Sequence, residues 1–266
     1  MAVLKRNVKV GVVVQARMTS SRLPGKVLLD VNGEPMLLRQ WDRLKLSTKA
    51  DLLVLATSVE SSDEPLVEVC RQEGIVYHRG SLDDVLDRYY QTARRYKLDV
   101  IVRLTADCPL IDPSILDQMV DLFLRGEFDY LANTAPPEGS TFPDGMDVEI
   151  FSMQALERAW RESRKPSDRE HVTFFFWKNP NLFRTHRYDL VESRAQYRLT
   201  VDYPQDLEVI RAIHGALGAQ PAFDLETIIN FLDSHPEIRN QNANILPNQG
   251  WQSAFDKDAE WENRPS

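Results

Sequence analysis

Two aspartates follow short apolar runs, and a proline stands two residues after each of them. Asp107 comes after the run at 100–104, and Asp202 comes after the run at 199–201. Carboxylates at the carboxyl ends of strands face the ligand side of an open α/β sheet. Mg²⁺ takes one or two such carboxylates together with substrate phosphates. We predict Asp107 as a magnesium ligand. Asp202 joins it only if the fold pairs the two, and otherwise it caps the helix that Pro204 begins.

A basic loop, residues 16–26 with the sequence ARMTSSRLPGK, follows the first apolar run. Backbone N–H groups at 18–21 could cradle phosphate oxygens, while Arg17, Arg22 and Lys26 supply positive charge. This composition suits a triphosphate. The loop is neither a Walker A motif nor a G-x-G-x-x-G fingerprint. A solvated turn, in which Pro24-Gly25 merely reverses the chain, is the alternative.

Acidic and basic groups beyond residue 130 are candidates for binding a second substrate. A turn-rich loop, NTAPPEGSTFPDG, leads into a strand predicted at 146–151. Asp144, Asp147 and Glu149 could bind acceptor hydroxyls or amines. Alternation puts Asp147 and Glu149 on one strand face, which solvent exposure explains equally well. Arg169 or His171 could meet an acceptor carboxylate, although an exposed helix surface explains both residues too.

Short β-branched runs alternate with amphipathic stretches, the pattern of parallel strands joined by crossover helices. We predict an α/β fold, a three-layer sandwich with a mostly parallel, Rossmann-like sheet. Asp112 and Pro113 are predicted as the N-cap and first residue of a helix that ends before Gly126. The predicted strands are 9–15, 52–57, 75–78, 100–104, 146–151, 182–188 and 197–201. The predicted helices are 36–46, 63–73, 83–96, 113–125, 168–177 and 225–232, with two more starting near 152 and 204.

Composition excludes several classes of protein. The net charge of −8 over 266 residues argues against a general nucleic-acid binder, which needs a basic excess. Cys70 and Cys108 have no disulfide or zinc spacing, which favours a reducing, cytoplasmic environment. No stretch approaches the roughly 20 apolar residues of a membrane span.

Six segments in order resemble the CMP-sugar-acid synthetases, a cytidylyltransferase family. The resemblance is to 3-deoxy-manno-octulosonate cytidylyltransferase, and more closely to the spore-coat polysaccharide biosynthesis SpsF-like branch. The segments span about residues 8 to 215, and a co-ordered set is far more specific than one motif. They are QARMTSSRLPGKVL, GSLDDVLDRYYQTA, RLTADCPLIDP, FPDGMDVEIF, SDREHVT and LTVDYPQDLEVI.

The resemblance implies a sheet of the nucleotide-diphospho-sugar transferase type, with CTP bound over the basic loop. It implies that Arg17 and Lys26 contact the triphosphate and that Asp107 and Asp202 hold Mg²⁺. The predicted catalytic residues are Arg17, Lys26 and Asp107. The predicted nucleotide-binding residues are Ala16, Arg17, Ser21, Arg22, Lys26, Thr105, Ala106 and Asp107. Octulosonate synthetases carry Gln-Gly before this aspartate, where the Gln helps to read the base. Thr105-Ala106 stands here, so cytosine recognition must come from elsewhere.

The expected activity is CMP transfer from CTP to a sugar acid or similar acceptor, with release of pyrophosphate, in surface polysaccharide or glycoconjugate biosynthesis. A sugar-1-phosphate nucleotidyltransferase, a glycosyltransferase of the same fold and a nucleotide-binding partner without activity are the alternatives. The segment Asp107-Cys108-Pro109 is not the D-x-D metal motif typical of the glycosyltransferases. We predict a nucleotidyltransferase domain at 1–235, with an acceptor or dimer lobe at about 131–195, and an irregular tail at 236–266. The resemblance implies a homodimer.

Overall fold

The computed structural model describes residues 8–218, 222–246 and 251–263. Its strands are β1 Val10–Gln15, β2 Asp30–Val31, β3 Glu34–Pro35, β4 Leu52–Ser58, β5 Tyr77–Gly80, β6 Val100–Thr105, β7 Tyr130–Ala132, β8 Glu149–Ser152 and β9 Thr185–Arg187. Its α-helices are α1 Met36–Leu44, α2 Glu64–Gln72, α3 Val85–Tyr96, α4 Pro113–Arg125, α5 Met153–Glu162, α6 Pro166–His171, α7 Phe174–Trp177, α8 Pro204–Leu217, α9 Leu225–Ser234, α10 Pro236–Arg239 and α11 Trp251–Glu262. None of the helices in these ranges has the length and apolar character of a membrane span.

The central sheet has seven strands within the described ranges, in the order β5-β4-β1-β6-β8-β7-β9. Strands β5, β4, β1 and β6 are parallel, whereas β8 runs antiparallel to both its neighbours. Residues 10–14 are apolar at nearly every position because β1 is buried on both faces. Helices α1, α2 and α4 contribute to the core on one face, and α3 and α5 to the core on the other. The prediction of a three-layer, mostly parallel α/β sandwich is confirmed.

Residues 197–201, predicted as a strand, do not join the sheet. They run beside the loop that follows β6 and form one bridge, between Arg198 and Asp144, within the described residues. The N–H of Leu199 donates to the Asp144 carbonyl at 2.6 Å, and the N–H of Val201 donates to the Asp107 carbonyl at 2.8 Å. The segment packs with α8, α9 and the β2–β3 hairpin in a third apolar core. It thereby brings Asp202 to the end of β6.

Several predicted element bounds require correction. The strand predicted at 75–78 is β5 and starts at Tyr77, and the strand predicted at 182–188 is reduced to β9. The helix predicted at 168–177 is two short helices, α6 and α7, because Val172 takes a backbone φ of 60° that no α-helix contains. The prediction for α4 is confirmed residue for residue, including Asp112 as its N-cap.

The prediction of an irregular tail at 236–266 is wrong, because α10 and α11 lie in it. Ala254 and Asp258, four residues apart on one face of α11, are buried against the body of the protein. A helix that buries an alanine and an aspartate shows little apolar periodicity in its sequence. The side chain of Trp251 lies outside the described residues.

Candidate active site

A cleft of about 520 Å³ opens at the carboxyl ends of β1 and β6. The basic loop, the end of β6, the segment from 134 to 149, helices α6 and α7, and residues 195–202 form its walls. This is the position at which parallel sheets bind ligands. The predicted site residues that line the cleft are Ala16, Arg17, Ser21, Arg22, Lys26, Thr105, Ala106, Asp107, Asp144, Asp147, Glu149, His171 and Asp202.

Lys26 joins the two strand-end aspartates at the floor of the cleft. Its Nζ donates to Asp107 Oδ2 at 2.9 Å, to Asp202 Oδ1 at 2.8 Å and to the Val201 carbonyl at 2.7 Å. These bonds use all three ammonium protons. Burial acts to raise the pKa of Asp107, but the charge of Lys26 and the hydrogen bonds from Thr105 and Lys26 together outweigh burial and lower this pKa to about 2. The pair is therefore ionised at every physiological pH.

The position of Asp202 depends on its backbone as well as on Lys26. Its N–H donates to Asp206 at 2.9 Å, and its Oδ1 accepts from Arg22 Nη2 at 2.7 Å. Tyr203 is the residue that caps α8, so the helix-cap alternative for Asp202 is wrong. Asp206 is fully buried. The pairing of Asp202 with Asp107 that a metal site requires is thus present.

The two paired carboxylates fit Mg²⁺. One oxygen of Asp107 and one of Asp202 lie within 3 Å of the same Nζ, so the fold already converges both on one cationic group. Mg²⁺ commonly takes one or two carboxylates and completes its shell with waters and substrate phosphates. Among the described residues, no group of three or more His, Cys, Asp or Glu side chains could hold a metal alone. Substrate oxygens would have to supply the rest.

The basic loop offers fewer free amides than predicted. The N–H of Met18 donates to Asp63 at 2.7 Å, and the N–H of Ser20 donates to the Met18 carbonyl. In the part of the chain that the structure describes, the N–H groups of Thr19 and Ser21 have no internal acceptor and stay open to a ligand. The exposed Arg17 forms no ion pair there either, whereas Arg22 is bound to Asp202. Asp63, a residue that the sequence did not indicate, anchors this loop.

Two further carboxyls, Asp144 and Asp147, also line the cleft. Asp147 accepts from Thr134 Oγ1 at 2.6 Å and from the Gly145 N–H at 2.9 Å. Asp144 Oδ2 accepts from Arg198 Nη1 at 2.5 Å. Burial, together with the nearby charge of Asp147, raises the pKa of Asp144 to about 7 although Arg198 opposes the shift. The cleft therefore presents a carboxyl that gives up its proton less readily than a solvent-exposed aspartate.

Glu149 lies deep in the cleft rather than on a solvent face. The residue is 5% exposed, and its carboxylate accepts from Arg103 and from the Tyr130 hydroxyl. The solvent-side alternative is wrong for Glu149 because β8 lies inside the sheet, between β6 and β7. Because Arg103 and Tyr130 satisfy the Glu149 carboxylate, this hydrogen-bonded group holds the inner surface of the cleft in one arrangement.

Arg169 and His171, predicted together, are separated by the fold. Arg169 does not line the cleft, since its Nε donates to Asp84 at 3.0 Å beside a separate, more open cavity. His171 does line the cleft. Burial lowers the pKa of His171 to about 4 despite the opposing charge of Glu170, so its ring is neutral at pH 7.

Gln15, Arg88 and Arg103 line the cleft although no pattern in the sequence indicated them. Arg88 is 2% exposed, and its Nη1 donates to the Ser81 carbonyl at 3.2 Å. It sits within a regular amphipathic helix, where a charged position indicates an exposed face. Gln15 completes an apolar strand and its type suggests no chemistry. Only the register of neighbouring strands and helices reveals these positions.

A family model described as cytidylyltransferase matches residues 11–243. The chain belongs to the cytidylyltransferase family. The spore coat polysaccharide biosynthesis protein SpsF of Bacillus subtilis is 34% identical over 238 residues, which are 86% of this chain and 96% of that protein. The 3-deoxy-manno-octulosonate cytidylyltransferase of a Psychrobacter species is 36% identical over 122 residues, 44% of this chain and 43% of the relative. The resemblance seen in the sequence is confirmed.

Solved structures of cytidylyltransferases have the same fold. A cytidylyltransferase from Leptospira borgpetersenii is 37% identical and superposes with a TM-score of 0.84, covering 90% of this chain and 99% of the other. A CMP:2-keto-3-deoxy-manno-octonic acid synthetase complexed with CTP is 17% identical, with a TM-score of 0.61 over 78% of this chain and 99% of the other. The second match shows the likeness of fold alone.

Proposed function

We propose that this protein transfers CMP from CTP to the hydroxyl of a sugar acid or similar acceptor and releases pyrophosphate. The observation that carries the proposal is the Lys26–Asp107–Asp202 cluster at the floor of a cleft that the basic loop overhangs. Family membership supports the nucleotidyl transfer, and the similarity to the spore coat polysaccharide biosynthesis protein SpsF supports a place in polysaccharide synthesis. We further propose that the protein is a cytoplasmic homodimer.

In this mechanism the acceptor oxygen forms a bond to the α-phosphorus of CTP while the bond from that phosphorus to the bridging oxygen of pyrophosphate breaks. Catalysis of such a step is mostly positioning and neutralisation of charge. Arg17 and the open N–H groups of Thr19 and Ser21 would bind the triphosphate from the loop side. Lys26 holds Asp107 and Asp202 in place, and its ammonium offsets part of their negative charge at the floor of the cleft.

Asp107 and Asp202 would hold Mg²⁺, which supplies Lewis-acid charge stabilisation at a phosphoryl oxygen when bound. The oxygen donors, their convergence and their ionised state support this assignment. The acceptor would contact Asp144, Asp147 and His171, which line the same cleft. Asp144, whose pKa is raised by burial and by the nearby charge of Asp147, would take the proton that the attacking hydroxyl loses.

Pyrophosphate release tests the proposal. The protein is incubated with Mg²⁺, each of the four nucleoside triphosphates and a panel that contains sugar acids, sugar 1-phosphates and neutral sugars. We expect release with CTP and a sugar acid. Release with sugar 1-phosphates alone would overturn the proposal in favour of a sugar-1-phosphate nucleotidyltransferase. Cleavage of a preformed sugar nucleotide would indicate a glycosyltransferase instead.

A further inference from the structure

Helix α11 packs against α6, which forms one wall of the cleft. Asp258 of α11 is 8% exposed, and its two carboxylate oxygens accept from the N–H of Ser167 at 2.8 Å and from the Ser167 hydroxyl at 2.6 Å. The buried Ala254 lies one turn away, and the Phe255 ring stacks on Phe174 with centroids 5.8 Å apart. The contact therefore combines a buried carboxylate with packing of apolar side chains.

Asp258 supplies the cap that α6 lacks. The N-cap position of α6 is Lys165, whose side chain makes no capping hydrogen bond, and Pro166 follows at the first helical position. The N–H of Ser167 is one of the donors that a helix start leaves without an intrahelical partner. A carboxylate at such an N-terminus is favoured both as an acceptor and by the helix dipole. Here the carboxylate comes from a helix 91 residues further along the chain.

Helix α6 has little stability of its own. It has six residues, and Val172 directly after it has a backbone φ of 60°. A β-branched residue is strained in this region and persists there only when surrounding contacts hold it. Yet five side chains on either side of Val172 line the cleft. They are Glu170, His171, Thr173, Phe174 and Trp177. Lys257 of α11 also binds the Glu170 carboxylate at 2.8 Å.

We propose that Asp258 is a positioning residue for the active site, acting through Ser167 to hold the α6–α7 wall against which the acceptor binds. Helix α11 lies beyond residue 243, where the match to the cytidylyltransferase family model ends. Asp258 therefore lies outside the residues that the family model matches. The acceptor part of the inference rests on the proposed function, whereas the ordering of α6 does not.

Hydrogen–deuterium exchange without substrate tests the ordering directly. In the full chain, Asp258→Ala should raise the exchange of amides at 167–173 roughly tenfold, the size expected for loss of a helix cap. Asp258→Asn keeps a capping oxygen and should stay within about threefold of the wild type. Glu260→Ala, on the exposed face of the same helix, is the matched control. Amides of β1 and β6 should be unchanged in all three variants.

Kinetics with CTP and the panel acceptor that gives the highest rate then separate positioning from general damage. We expect Asp258→Ala to raise the KM for that acceptor several-fold, with the KM for CTP within about twofold and with rescue by Asp258→Asn. Unchanged exchange at 167–173 would overturn the inference, as would an equal rise in both KM values. A wild type that releases no pyrophosphate with any panel member refutes the proposed function instead, and the exchange data still decide the role of Asp258.

Discussion

Replacing Lys26 with Met tests whether the two strand-end carboxylates are held together by this ammonium. The Lys26 side chain is 10% exposed and binds both aspartates. Lowering the pKa of Asp107 from 3.8 to about 2 corresponds to about 2 kcal/mol at neutral pH. Removal of one partner from a buried ion pair costs about 3–5 kcal/mol, because the other charge is left uncompensated. We expect the free energy of unfolding at pH 7 to fall by roughly 3 kcal/mol.

Urea denaturation followed by tryptophan fluorescence measures this change, with Lys45→Met as the control. Lys45 is 60% exposed and pairs only with the exposed Asp42 in the part of the chain that the structure describes, so its loss should matter by less than about 0.5 kcal/mol. The pKa of Asp107 is lowered in the folded state. Its contribution is therefore complete above about pH 4 and is lost as the pH falls through 2.

The same variant reports on the metal site. Without Lys26, the Asp107 and Asp202 carboxylates lack their shared cation, so millimolar Mg²⁺ should stabilise Lys26→Met more than it stabilises the wild type. If the free energy of unfolding at pH 7 falls by less than about 1 kcal/mol in Lys26→Met, the bridging role of Lys26 is refuted. Equal stabilisation of both proteins by Mg²⁺ would refute the convergence of the two carboxylates on one cation site.

Three further variants probe the surroundings of the site. Asp63→Ala frees the N–H of Met18, so it should raise the KM for CTP several-fold in steady-state kinetics while the acceptor KM stays constant. Asp112→Ala removes the cap of α4 and the acceptor of the Leu225 N–H, and should lower the free energy of unfolding in urea by about 2 kcal/mol. Burial, aided by nearby arginines, lowers the pKa of His214 to about 4. Protonation of the unfolded chain below pH 6.5 should therefore cost the wild type roughly 3 kcal/mol by pH 4, a loss that His214→Leu should lack when unfolding is measured across this range.

Local signals in the sequence were sufficient for much of the fold. Helix α4 was predicted at its observed bounds because Asp112, Pro113 and Gly126 each act within a few residues of the chain. The buried parallel strands β1 and β6 were apparent as apolar runs. Lys26, Asp107 and Asp202 could be singled out because each follows such a run or the loop after it.

Interactions between distant segments explain what the sequence did not reveal. Residues 197–201 alternate like a strand, but their backbone partners are Asp144 and Asp107, which no local pattern indicates. Arg198 was not predicted because its role depends on carboxylates 54 and 8 residues away. For Glu149, alternation gave the shared face with Asp147 but could not tell whether solvent or Arg103 lies on it.

The most direct test of nucleotidyl transfer at this cleft is the rate of pyrophosphate release by Asp107→Asn, with CTP, Mg²⁺ and the sugar acid that the wild type uses. Asp42→Asn serves as the surface control, since Asp42 pairs only with the exposed Lys45 among the described residues. Loss of a group that stabilises transition-state charge typically costs roughly 10²–10³ in kcat. We predict a fall of at least about a hundredfold, with the circular dichroism spectrum unchanged. A folded Asp107→Asn variant with wild-type activity would contradict the assignment of this cleft as the active site.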